Sequence, residues 1–180
     1  MFNIHGLTMF TRNRNYEFTE KTCSFIQQSK DLGCKNFVLH GSVRMGCLGD
    51  SEFKDFYEED LKFLTPVVEY AKKLGVVCLL ENGSYSLSSN LSFCEITSVP
   101  FYHIKLSKEL GLGLVVDLGH AALSARWFNK TLNELLISYF ESSITPIVVH
   151  LSDNFLENDD HVAIGEGKAD VGVFSRVLTL

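Results

Sequence analysis

Eight side chains of this 180-residue chain have the types and positions to do chemistry together. Five of them each close a short apolar run. His5 follows Phe2–Ile4, His40 follows Phe37–Leu39, and Glu81 follows Val76–Leu80. Asp117 follows Leu114–Val116, and His150 follows Ile147–Val149. Such short continuous runs, rich in β-branched residues, are how strands covered on both faces read, and those strands are usually parallel. Parallel strands of one sheet end on the same side, so the five groups are expected on one rim. Imidazoles and carboxylates gathered there call for a compensating positive charge. A divalent ion such as Zn²⁺ or Mn²⁺ supplies it, because neutral histidine nitrogen and carboxylate oxygen are its ligands. No cysteine stands at these positions, which disfavours a site for a soft metal.

Three more residues extend the set. His120 comes three residues after Asp117, and Gly119 between them is expected to let the chain turn sharply off the strand and point His120 back at the rim. Downstream of His150, Asp159-Asp160-His161 has an Asp-x-His spacing, which puts two side chains on one side of an extended loop as a workable chelate. The competing reading of this acidic stretch is a solvated loop. His103 falls inside a predicted helix and reads as structural.

The elements that must position these groups alternate along the chain. Helices are predicted over Glu17–Leu32, Phe53–Leu74, Val99–Leu110 and Leu132–Ser142. The first three end at Gly33, Gly75 and Gly111, each placed where a left-handed residue terminates a helix. Pro66 predicts a break in the second helix, or a new helix starting near Thr65. Helix, glycine, strand is the rhythm of a parallel barrel or doubly wound sheet. No phosphate-binding glycine motif follows a strand. Gly165-Glu166-Gly167 comes after a polar loop with an acidic residue at its centre, so it is not read as a phosphate cradle.

Composition bounds the rest. A length of 180 residues suits one domain, taken as residues 1–180, and 46% hydrophobic with 21% charged residues is the ordinary globular balance. No apolar run approaches the roughly 20 residues of a membrane span, so no membrane partner is expected. The five cysteines have irregular gaps and read as free thiols in a reducing cytoplasm. The first residues lack the basic and apolar regions of a secretory signal, so a cytoplasmic location is expected. A net charge of −6 argues against, without excluding, a nucleic-acid partner.

Taken together, these motifs resemble the xylose isomerase-like TIM-barrel superfamily, which holds sugar phosphate isomerases and epimerases and the endonuclease IV type of AP endonuclease. The resemblance rests on Leu32-Gly33 through His40-Gly41, Ala71 through Glu81-Asn82, Val116-Asp117-Leu118-Gly119-His120, His150-Leu151-Ser152-Asp153-Asn154, and Asp159-Asp160-His161 with Ile164 through Gly167. It implies a (β/α) barrel with divalent metal at the C-terminal rim. His5, His40 and Glu81 would form one site. Glu81, Asp117 and His150 would form part of a second, with Glu81 bridging. His120, Asp159 and His161 would form a third, as in the endonuclease branch. Family barrels have eight strands and run to about 250 residues, so a partial barrel is expected here. Residues Val171–Leu180 look like the helix before the last strand, and no residue matches the metal-binding glutamate which that strand usually carries. A fragment of a longer product, strands supplied by a partner chain, and a decayed relative all fit that pattern.

Three functions follow from the resemblance. The first is a metal-dependent isomerase or epimerase of a sugar or sugar phosphate, with Glu81 as base and ligand. The second is a metal-dependent phosphodiesterase acting on abasic DNA, favoured by Asp159 and His161 and opposed by the acidic Glu157–Asp160 loop. The third is an inactive barrel fragment or binding protein. Open strand edges would also invite self-association.

Overall fold

The computed structural model describes residues 3–5, 16–45, 50–88, 91–170 and 172–173. Phe2, Cys47 and most of the expected C-terminal helix lie outside the described residues, as does the side chain of His5.

Five parallel strands form one sheet in chain order: β1 (Asn3–His5), β2 (Asn36–Leu39), β4 (Val77–Glu81), β7 (Gly113–Asp117) and β8 (Pro146–His150). Helices α1 (Tyr16–Asp31), α2 (Asp50–Leu74) and α3 (Pro100–Leu110) connect them, followed by α4 (Leu118–Trp127) and α5 (Leu132–Phe140). This is the expected (β/α) barrel type, and five parallel strands of the eight in a full barrel lie among the described residues. A second sheet was not foreseen. It is antiparallel, in the order β3 (Val43–Met45), β6 (Leu91–Glu95), β5 (Tyr85–Ser88). Its hairpin inserts between β4 and α3, and a short 3₁₀ turn at Ile96–Ser98 leads back to the helix.

The strand pleat explains why the rim carries ligands. Phe37, Leu39, Cys78 and Leu80 face outward into one core with Val67, Val68, Ala71 and Leu106 of the helices. Leu114 and Val116 face a second core with Leu132, Leu135 and Tyr139. The alternate residues Val38, Leu79 and Val115 pack inward together with Val148. Side chains two residues apart share a face. His40, Glu81, Asp117 and His150 are each two residues beyond one of those four, so they stand on the inner face, one layer above an apolar floor.

Two local expectations are corrected. α2 runs unbroken through Pro66. Leu64, Val67, Val68 and Ala71 are buried on both sides of the proline while Pro66 itself is exposed, so packing holds the helix across the lost hydrogen bond. Thr65 also donates its hydroxyl to the carbonyl of Leu61 at 2.7 Å. The second correction concerns Gly119, which makes no sharp turn but sits in the first turn of α4. A Cβ there would lie 2.3 Å from Ser152 Oγ, so glycine is needed for the close approach of the chain after β8.

Candidate functional site

Parallel pairing sets the heights of the rim groups. Leu39 pairs with Leu80, which brings His40 beside Glu81, and Asp117 pairs directly with His150. Glu81 pairs with Val115, two residues short of Asp117, the kind of stagger that tilts strands around a barrel. His5 ends β1 and pairs with Val38.

Glu81 is the hub. Its carboxylate is 1% exposed. Oε1 accepts a hydrogen bond from His150 Nδ1 at 2.9 Å and lies 3.8 Å from His120 Nδ1, while Oε2 lies 3.5 Å from His40 Nε2. Burial alone would raise the Glu81 carboxyl, but the His150 hydrogen bond and the charges of His40, His150 and His120 outweigh it and hold it below the usual range. His150 is raised in return, first by that hydrogen bond.

Asp117 both caps α4 and faces the site. Its Oδ1 accepts from the His120 backbone N–H at 2.9 Å and from the Ser152 hydroxyl at 3.1 Å. His120 is clamped at both ring nitrogens, Nδ1 by the Asn82 carbonyl at 2.8 Å and Nε2 by Asp159 Oδ2 at 3.0 Å. Burial lowers His120, yet Asp159 and Asp117 raise it to about 10, so without a metal it is an imidazolium. Asp159 is raised by burial and lowered more by His120, and it stays ionised. His161 Nδ1 lies 3.0 Å from Asp159 Oδ1, so the Asp-x-His pair does bring its two side chains together.

The donor set fits a divalent ion. Glu81, Asp117 and His150 each present a ligand atom, all within 4.8 Å of one another, and so do Asp117, His120 and His161. These are nitrogen and oxygen donors with no thiolate, the set that suits such an ion. With Nδ1 held by the Asn82 carbonyl, Nε2 is the nitrogen that would face an ion, the usual outer hydrogen bond of a metal-binding histidine.

Three residues that build the site were missed as single positions. Asn82 grips the Asp117 backbone from both sides, accepting from its N–H at 2.6 Å and donating to its carbonyl at 3.0 Å. Its place directly after Glu81 was the available signal. Asp153 is fully buried, and its carboxylate accepts from the backbone N–H groups of Asn154, Gly165, Gly167 and Ala169. The Gly-x-Gly loop therefore does cradle an anion, and the anion is the protein's own. Burial would raise Asp153, but these four bonds hold it below the usual range. His103 reads as expected: wholly buried, it braces the Leu80 carbonyl at 2.9 Å and Tyr139 Oη at 3.3 Å, and burial pushes it down to about 4.

The third is Glu95, at the end of β6. It packs over Gly83, where a Cβ would meet its carboxyl, and burial pushes it up to about 8, with Glu81, Asp60 and Asp159 adding to the rise against the pull of His120. Below the ordinary carboxylate range the acid is neutral whether folded or not and costs nothing. As pH climbs towards 8 the unfolded chain ionises and the folded one does not, so stability falls at about 1.4 kcal/mol per pH unit. In metal-free protein, Glu95→Gln should remove that slope. Urea denaturation of both proteins at pH 5 and pH 8 checks it: the variant should gain on the wild type at pH 8, and an unchanged difference would refute the burial argument.

Ordered parallel strands, outer helices, and a rim of imidazoles and carboxylates define a segment of a (β/α) barrel. The chain shares this fold with TIM-barrel proteins of known structure. It is similar to a D-tagatose 3-epimerase-like protein, with TM-score 0.72 and 20% identity over 98% of this chain and 66% of that one. It is similar to the TTHB071 protein of Thermus thermophilus, soaked with ZnCl₂, with TM-score 0.67 and 20% identity over 97% and 66%. It is also similar to the IolI protein with a bound zinc atom, with TM-score 0.68 and 17% identity over 99% and 62%. The chain thus spans about two thirds of the length of these structures. No family profile matches its sequence, and no curated protein matches it.

Proposed function

We propose that the chain is a metal-dependent isomerase- or epimerase-like protein acting on a small sugar or sugar phosphate. The observation that carries this is the buried Glu81 carboxylate, held ionised among His40, His120 and His150. The proposed ligands are Glu81, Asp117 and His150 in one group, His120, Asp159 and His161 with Asp117 in another, and His40 beside Glu81, to which the resemblance adds His5, whose side chain lies outside the described residues. A zinc or manganese ion bound there would polarise a substrate carbonyl or hydroxyl oxygen. Glu81 takes the proton from the adjacent carbon, since an ionised carboxylate within reach of that carbon is the general base such chemistry needs. His120 and Asn82 hold Asp117 and the rim in place, and the apolar floor of Val38, Leu79, Val115 and Val148 keeps water from beneath the site. The similarity in fold to an L-ribulose 3-epimerase and to a 3-keto-D-glucoside 4-epimerase from E. coli is consistent with this chemistry.

The test is hydrogen exchange from a ketose. Protein loaded with Zn²⁺ or Mn²⁺ in D₂O should wash deuterium into the carbon next to the carbonyl of D-tagatose or D-fructose, read by NMR. Glu81→Gln should slow this by about 100-fold or more. No exchange above buffer with either metal would overturn the reading. The Asp159–His161 pair favours a second reading, an endonuclease IV-type phosphodiesterase, and cleavage of an abasic-site duplex by the same preparation would select it.

β1 and β8 are the outer strands of the sheet, and Ile147 on β8 is 61% exposed. Unpaired edges beside apolar side chains invite pairing with another copy. Light scattering after size exclusion should find dimers or larger species at tens of micromolar. A monodisperse monomer would show that the edges are protected. No described helix is long and apolar enough to cross a membrane.

A further inference from the structure

A cavity of about 380 Å³ is lined by Tyr85, Leu123, Arg126, Trp127, Leu156 and Glu157, within the usual size range of small-ligand pockets. None of the six is a proposed metal ligand, yet all are close to one in the chain. Tyr85 follows Glu81 on the hairpin, Leu123 lies one turn of α4 beyond His120, and Glu157 shortly precedes Asp159.

The walls differ in kind. Trp127 lies flat on Tyr85, with ring centroids 3.8 Å apart and planes 14° from parallel, and Phe128 meets Tyr85 edge-on. Tyr85 is 3% exposed and Trp127 36%, so Tyr85 is the backing and the indole is the presented surface. Arg126 donates to the Leu156 carbonyl, which anchors its guanidinium to the wall. Glu157 brings the opposite charge to the same wall.

An aromatic face is electron-rich and attracts the partly positive C–H bonds of a saturated ring. A cationic donor and an anionic acceptor beside it suit a ligand whose edge both gives and takes hydrogen bonds. Hydroxyls do both, a hydrocarbon does neither, and a phosphate would meet Glu157 as well as Arg126. We propose that this cavity is a subsite for an uncharged sugar ring or polyol end, seated on Trp127 with its hydroxyls between Arg126 and Glu157. The inference rests on the sugar reading above and adds that the non-reacting end of the substrate is unphosphorylated.

Trp127 is the only tryptophan of the chain, so tryptophan emission comes from the wall of this cavity. The experiment titrates D-fructose, and separately D-fructose 6-phosphate, into zinc-loaded and into EDTA-stripped protein. D-fructose should change the emission saturably, with a midpoint below about 100 mM, with or without metal. Arg126→Ala and Glu157→Ala should each raise the midpoint roughly three- to ten-fold, the size expected for losing one hydrogen-bonding group. Circular dichroism confirms folding, and Glu157→Ala decides alone if Arg126→Ala does not fold. Three results would overturn the proposal: no saturable change with D-fructose, wild-type midpoints in the folded variants, or a midpoint at least ten-fold lower for the phosphate. The outcome is separable from the catalytic reading. Binding that persists in a protein unable to exchange the ketose proton sinks the enzyme and keeps the subsite, and exchange without a response at Trp127 does the reverse.

Discussion

Glu81→Ala should strip the chain of most of its bound divalent metal. Dialysed against zinc and measured by atomic absorption, wild-type protein should carry metal, and Glu81→Ala should lose the largest share of any single variant. The reason is geometric: Glu81 reaches His40 with one oxygen and His150 and His120 with the other. Its loss therefore disturbs every group of ligands except the outermost. His161→Ala removes one exposed ligand beside Asp159 and should leave the Glu81, Asp117 and His150 group loaded. Even the outer hydrogen-bond partners of metal ligands cost about 10- to 100-fold in affinity when removed, so the loss of the hub should exceed that. Equal metal content in wild type and Glu81→Ala would end the assignment.

Asp153→Ala should have the largest effect on stability. Four backbone N–H groups converge on one buried carboxylate, two on each oxygen. Leaving a buried donor unsatisfied costs about 1–3 kcal/mol, so the segment from Asn154 to Ala169 should come loose, with a loss of at least about 3 kcal/mol. Asp159 and His161 lie in that segment, so zinc bound by His120 and His161 should go too. Asp153→Asn keeps one accepting oxygen and turns a second donor against the other pair of N–H groups, which predicts an intermediate loss. Urea midpoints and proteolysis of the 154–169 segment report both effects. A midpoint equal to wild type for Asp153→Ala would show that the loop is held by something else. Gly167 belongs to the same device, because a Cβ there would sit 2.3 Å from Asp153 Oδ1.

The strands and the rim were legible because both rest on period and position. A buried parallel strand announces itself as an apolar run, and the residue that ends it is visible in the sequence. The inner apolar layer was not anticipated, although its members stand two residues before each rim group. The antiparallel hairpin was not, because Tyr-Ser-Leu-Ser and Leu-Ser-Phe-Cys-Glu carry no glycine turn and little β-branching. α4 was hidden because it starts with no loop after β7, and its cap, Asp117, had already been read as a ligand. Asp153 looked like one more polar residue, since its four partners are backbone groups and leave no mark in the side-chain pattern. Pro66 misled because local backbone preference was overruled by a buried face that runs past it.

Asp117 does two jobs with two oxygens. Oδ1 is spent on the His120 N–H and the Ser152 hydroxyl, and in the proposed metal site the other oxygen would be the one to meet an ion. The two bonds to Oδ1 fix the carboxylate's orientation, so under the proposed reading a cation would be taken up without rearranging this residue. The same division gives the position an unusual evolutionary freedom. An asparagine here could still cap the helix through its carbonyl oxygen while the anionic ligand disappeared. A lineage could thus silence the chemistry and keep the scaffold by a single codon change, and a descendant could restore the chemistry by the reverse step.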